Sequence, residues 1–326
     1  MGHGFPNAQP NRSLWEYLHY LYDNQSTLNS GGLGSFPGNT WFVDAFSGNA
    51  SATDGTTWDN AFATMAQAFA KVASGDRIFF KGKIKEQLVT PVQVFDVAVI
   101  GIANRPRHAD ATPVGGNIGA NTWTFPDSPV AATPLCKVLQ QGLAFVNILF
   151  AAPTDAAAVQ LFRDAGADNA ERDASHASFI GCRFASGFGI SDTGGCVDVL
   201  VEGCRFEALT NYCILGVGNI GVGQSDWLIK GNVFDGFTNG VKIAAFGCVI
   251  RDNTFSDGGT PNTTFVLNTS NGGGADNHIV YNSFQTATAN FNTPDVVGNA
   301  TDVWINYSID AAAAGVSGVY EVGQPA

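Results

Sequence analysis

The chain has 326 residues, a net charge of -12 and only 16 lysines plus arginines. With no basic run it offers no surface for tracking phosphates, which excludes nucleic acid as a partner, and no apolar stretch reaches membrane-spanning length. Charged residues make up 13% and hydrophobic residues 45%, so the expected source of stability is apolar stacking rather than ion pairs.

The amino terminus, MGHGFPNAQPNRSLWEY, lacks the basic region and apolar core of a secretory signal, which predicts folding in the cytoplasm where the chain is made. Leu14, Trp15, Leu18, Leu21 and Tyr22 then fall on one helical face, with Glu16, His19 and Asp23 opposite, and Ser13 with Glu16 forms a capping box. Roughly three turns do not hold a helix in water, so this apolar face needs a surface: its own chain, a sister chain or another protein. Ser30 to Asn39, SGGLGSFPGN, reads as a hinge. The expected organisation is an attachment segment and hinge over 1–38, a repetitive body over 39–310 and a tail over 311–326.

From Asn39 to Ile102 the order is a first strand, a D-G-x-x-W loop, a helical stretch, G-D-x-I and a further strand. Trp58, Phe62, Met65, Phe69 and Val72 recur at helical spacing and predict a short helix that closes one end of the body. A six-residue pattern then repeats. It reads Phe179-Ile180-Gly181-Cys182-Arg183-Phe184, then Val201 to Phe206, Ile229 to Phe234, Ile250 to Phe255 and Ile279 to Phe284, with weaker relatives at Val146–Phe150 and Ile305–Tyr307.

The copies recur at intervals of roughly 20 to 30 residues, the range of solenoid repeats with variable loops. Each copy alternates apolar and polar residues and is bounded by turn formers, so each reads as a short strand with a turn. Two positions before each phenylalanine stand Cys182, Cys204, Asn232, Asn253 and Asn282. If the coils stack at about 4.8 Å, the asparagines can bond up the stack as a ladder and the phenylalanines pile into an apolar column.

These residues resemble the pectin-lyase-like superfamily, both in the opening module from Asn39 to Ile102 and in the repeats. The resemblance covers roughly residues 39 to 310 and implies an all-β fold: a right-handed parallel β-helix, or solenoid, with a short capping helix, here preceded by an amphipathic helical segment. After Ile309 the sequence DAAAAGVSGVYEVGQPA loses the repeat; it either caps the upper end or crosses to a neighbouring chain.

Enzymes of such a family hydrolyse or eliminate across acidic polysaccharides. Hydrolysis needs two carboxylates roughly 5 to 10 Å apart, and elimination needs a base with clustered acids around Ca²⁺. Polygalacturonase-like members show N-T-D, D-D, G-H-G and R-I-K; here only Val241-Lys242-Ile243 echoes the last. His3, His19, His108, His176 and His278 make no metal-ligand spacing, and no cysteine pair has C-x-x-C spacing, so neither a metal nor another cofactor is expected. The six cysteines read as reduced, buried thiols.

No catalytic residue is assigned. The outer-face candidates for a ligand are Arg183 and Arg205, stacked in adjacent coils, with Glu202 and Glu207; alternation points the two arginines outward, where solvated ion pairs are the simpler reading. An attachment helix, a hinge and a β-helical shaft together resemble the virion-surface proteins of tailed bacteriophages: fibres, tailspikes and capsid decorations. That plan implies a non-enzymatic virion-surface protein, a homotrimer held to other virion proteins through residues 1–38 and facing a host-surface glycan. The alternatives are a tailspike-like depolymerase and a carbohydrate-binding module that does not cut.

Overall fold

In the computed structural model the chain divides into two compact units, Met1–Gly38 and Asn39–Ala326. The residues described are 38–51, 54–102, 121–152, 156–164, 172–185, 187–216, 224–243, 245–256, 264–268, 277–286, 296–297, 303–310 and 317–320. The amphipathic helix expected around Leu14 to Tyr22, with its attachment residues, lies outside them.

The second unit is a right-handed parallel β-helix. Three ladders of parallel strands run along it. The first contains Thr40–Asp44, the first half of Arg77–Lys85, Ala98–Gly101, Ala144–Val146, Ser178–Ile180, Leu200–Glu202, Leu228–Lys230, Val249–Arg251, His278–Thr286 and Val303–Asp310. The second contains the other half of Arg77–Lys85, Asn121–Thr124, Leu149–Ala151, Arg183–Ala185, Arg205–Glu207, Val233–Asp235, Thr254–Ser256 and the far half of His278–Thr286. The third holds Leu88–Val89, Cys136–Val138, Ala157–Leu161, Phe188–Asp192, Tyr212–Gly216, Asn239–Ile243, Thr264–Asn268 and Val296–Val297.

Alternation decides which side chains enter the core. In the second ladder Phe184, Phe206, Phe234, Phe255 and Phe284 share one register position and are all buried. Their rings stack at 4.7, 4.8, 4.4 and 5.1 Å with interplanar angles of 13° or less, and Trp123 and Phe150 extend the column below them. The near-parallel stacking follows from register: identical rings one strand spacing apart have the same rotamer and meet face to face.

The two-residue corner between the first and second ladders explains the G-N and D-N pairs of the repeat. Asn147, Gly181, Gly203, Gly231, Asp252 and Tyr281 occupy successive rungs with φ of 55°, 61°, 60°, 63°, 57° and 58°. This left-handed corner favours glycine, aspartate and asparagine and leaves Tyr281 strained.

The next residue turns inward and makes the expected ladder. Asn232 Nδ2 donates to Val201 O and to Asn253 Oδ1, and Asn253 Nδ2 donates to Ile229 O and to Asn282 Oδ1. Each amide oxygen also accepts the backbone N–H of the residue in the preceding rung, from Cys204 through Asn253. Cys182 and Cys204 point their thiols at the equivalent carbonyls, Phe145 O and Phe179 O, at 3.3 and 3.4 Å. A thiol thus substitutes for the donating half of an asparagine but accepts weakly.

The capping helix is shorter than its apolar spacing predicts. It spans Met65–Phe69, with Thr64 as N-cap in a capping box with Gln67. Trp58 instead lies in a turn with its ring edge-on to Phe42, and Phe62 makes bridges to Val43 and Asn49. The reason is hydrogen bonding: Phe42 N–H donates to Gly55 O, Phe62 N–H to Phe42 O and Asp44 N–H to Phe62 O, so this segment closes the open edge of the first strand. Gly55, at φ 61°, is required there, because a Cβ would sit 2.2 Å from the Phe62 ring.

At the opposite end Ser317–Tyr320 pairs antiparallel with Val303–Asp310 in the same chain, in register Asn306 to Tyr320 and Ile309 to Ser317.

Candidate functional site

The four residues singled out from the sequence do not form one group. Arg183, Arg205 and Glu207 share the outer side of the second ladder, where Arg183 and Arg205 are register partners and Glu207 pairs with Asp235. The Arg183 Nη2 and the Arg205 Nε both donate to the Glu207 carboxylate, and Arg205 Nη2 reaches Asp235 Oδ2 at 3.0 Å. Glu202 lies on the first ladder and pairs with Lys230 at 3.0 Å. Asp235 was not among the residues singled out from the sequence, although it follows Phe234 as Glu207 follows Phe206 and so stands one rung from Glu207.

Burial corrects the expectation of solvated pairs. Arg183 is only 6% exposed although it points away from the barrel interior, and its Nε has no hydrogen-bond partner. Burial lowers its pKa from the ordinary arginine value. The group is therefore a partly desolvated chain, Arg183, Glu207, Arg205 and Asp235, with alternating charge. In such a chain each carboxylate is committed to holding guanidinium groups, and removing one leaves a buried charge without compensation.

A second outer face was not legible in the sequence. Lys137, Gln160, Ser191, Leu215 and Lys242 occupy one register row on the third ladder, and Tyr212 and Asn239 pair three positions earlier on the strands of Leu215 and Lys242. Lys137 and Gln160, Leu215 and Lys242, Tyr212 and Asn239 are all partly exposed. The Lys137 ammonium stands 4.2 Å over the Phe162 ring and that of Lys242 stands 5.9 Å over Tyr212, whose ring adjoins Phe188 at 6.1 Å. No carboxylate occurs at these positions, on a chain with 28 acidic residues. Aromatic faces, amides and cations spaced by one rung suit the apolar faces and hydroxyls of sugar rings.

Several other carboxylates fix local backbone. Asp44 accepts the backbone N–H groups of Phe46 and Ser47, the Ser47 hydroxyl and Lys81 at 3.0 Å. Burial by itself raises its pKa, but the Ser47 hydroxyl, Lys81 and the two backbone N–H groups outweigh burial and hold it at about 2. Glu86 receives the N–H groups of Met65 and Ala66 at the start of the capping helix; burial nevertheless pushes its pKa up.

Asp192 is fully buried and accepts the N–H groups of Gly194, Gly195 and Cys196. Asp173 is held below its ordinary value: burial raises it, but Ser175, Gln141 and Arg163 more than offset that. All six cysteines are buried as free thiols, and burial pushes those of Cys136, Cys196 and Cys213 up. Among the described residues no three His, Cys, Asp or Glu side chains converge as metal ligands, and no helix is long and apolar enough to cross a membrane.

No protein-family model and no curated protein matches the chain. It is similar to solved structures that include a pectate lyase, at 13% identity and a TM-score of 0.46 over 84% of this chain and 77% of that one. A pectin methylesterase from Aspergillus niger is 13% identical with a TM-score of 0.41, over 84% and 92% of the two chains. A mutant tailspike protein of E. coli bacteriophage HK620, in complex with a pentasaccharide, is 13% identical with a TM-score of 0.39, over 94% of this chain and 60% of that one.

Proposed function

We propose that this chain is a non-enzymatic β-helical shaft on a virion surface, assembled as a homotrimer and attached through residues 1–38. The observation that supports a scaffold is the commitment of its carboxylates. Glu207 and Asp235 hold Arg183 and Arg205, Glu202 holds Lys230, Asp44 fixes a loop and Glu86 caps a helix. A general acid or base must instead be within reach of a substrate proton. The test is light scattering on the full chain beside a chain starting at Asn39. A trimer in both is expected, and a monomer in both overturns the assembly. A reducing-end assay on surface polysaccharides is expected to show no product; release of oligosaccharide would make the protein a depolymerase.

A second reading concerns recognition, and the third-ladder face favours it. We propose that Tyr212, Lys242, Gln160, Phe162 and Lys137 bind carbohydrate without cutting it. A glycan array probed with the full chain and with Tyr212→Ala and Lys242→Ala variants tests this. Retained binding in both variants, or no binding by the full chain, overturns it.

A further inference from the structure

We propose that the strand Ser317–Tyr320 is an assembly stop, and that the partner it excludes is a second copy of this chain docking end to end. The edges of the coil stack decide where another strand can dock. Every other pairing in the long sheet is parallel, one rung upon the next, and such a stack ends in a strand whose outer N–H and C=O groups can template another strand. At the lower end that edge is closed by the chain itself, through the bonds of Gly55 and Phe62 to Phe42 and Asp44. At the upper end the last parallel rung, Val303–Asp310, pairs on one side with His278–Thr286 and on the other with Ser317–Tyr320.

The direction of that last pairing specifies what it replaces. Ser317–Tyr320 runs antiparallel, the only such pairing between strands among the described residues. Two copies meeting top to top across a two-fold axis would set Val303–Asp310 against its own symmetry mate, also antiparallel. Within the long sheet, head-to-tail pairing onto Thr40–Asp44 is closed because the outer edge of that strand is occupied by Gly55 and Phe62. The excluded contact is therefore isologous, and it closes at two copies instead of growing into a filament. A four-residue strand at an antiparallel turn-back presents a short edge of its own, one of the devices by which sheets avoid unwanted pairing.

The test is a chain lacking residues 317–320, compared with the full chain by light scattering over a range of concentrations. The expected result is a concentration-dependent, roughly twofold rise over the full chain's own mass, whatever that mass is, which then saturates. A synthetic peptide of residues 311–326 is expected to reverse the rise. Unchanged mass in a folded deletion chain overturns the proposal, and so does mass that keeps growing without saturation. If the deletion chain does not fold, excess peptide is expected to restore its circular dichroism spectrum, and failure to do so overturns the proposal. Because mass is read relative to the full chain, a failed trimer assignment and a failed stop give different results.

Discussion

Replacing Asn253 separates the two halves of the polar ladder. Its Oδ1 accepts the backbone N–H and the Nδ2 of Asn232, both at 2.9 Å, and its Nδ2 donates to Ile229 O and Asn282 Oδ1, also at 2.9 Å. The residue is 1% exposed, so water does not replace these partners in the folded state. At about 1 kcal/mol net for each of these bonds, with about 1–3 kcal/mol for a buried donor left unmade, Asn253→Ala is expected to cost about 5–7 kcal/mol. Asn253→Cys keeps one element, a thiol facing Ile229 O as Cys204 faces Phe179 O at 3.4 Å, and is expected to cost about 1 kcal/mol less. Urea unfolding measures both, with an unchanged slope as the condition for comparing midpoints. A loss below about 1 kcal/mol for the alanine variant, or a cysteine variant no better than alanine, would refute the reasoning.

Four other outcomes follow from particular residues. Asp44 has its pKa held at about 2, below the ordinary 3.8, so its contribution is complete above about pH 4 and is lost as pH falls toward 2; Asp44→Asn should flatten that acid limb and cost about 2 kcal/mol at neutral pH, read from urea midpoints across pH. Gln140 is 2% exposed and neither atom of its amide has a partner, so Gln140→Met should raise stability by about 1–3 kcal/mol in thermal or urea unfolding. At the left-handed corner, Gly231→Ala meets no atom within 4 Å yet should cost about 1 kcal/mol through φ alone, and Tyr281→Gly should gain a similar amount. Glu207→Gln removes the charge shared by Arg183 and Arg205 and should cost about 3–5 kcal/mol, mainly through Arg183, whereas Glu202→Gln at the half-exposed pair with Lys230 should cost under about 1 kcal/mol in the same assay.

The repeat made the core legible. A phenylalanine two residues after an asparagine or cysteine, at each return of the pattern, is enough to place both columns, because stacking converts recurrence along the chain into contact across rungs. Periodicity alone overstates the length of the capping helix, which spans only Met65–Phe69. Trp58 and Phe62 fit a helical spacing, but the unpaired edge of Thr40–Asp44 drew their segment into strand-like bonding, a demand set by a strand more than ten residues earlier.

The outer faces were less legible. Arg183, Arg205, Glu207 and Asp235 can be aligned from the repeat, whereas the row from Lys137 to Lys242 depends on rungs joined by turns of unequal length. Alternation states that a side chain leaves the barrel; it does not state how much of the chain then covers it, and Arg183 is buried where alternation alone suggests solvent.

Local rules therefore determined what repeats: the strand period, the glycine, aspartate or asparagine at every corner but that of Tyr281, the inward asparagines and the inward rings. Only the tertiary structure decided which repeats are neighbours on the third ladder, which edges are closed and which charges are desolvated. Those properties depend on where each coil returns after a turn of variable length, and no local periodicity in the sequence encodes that distance.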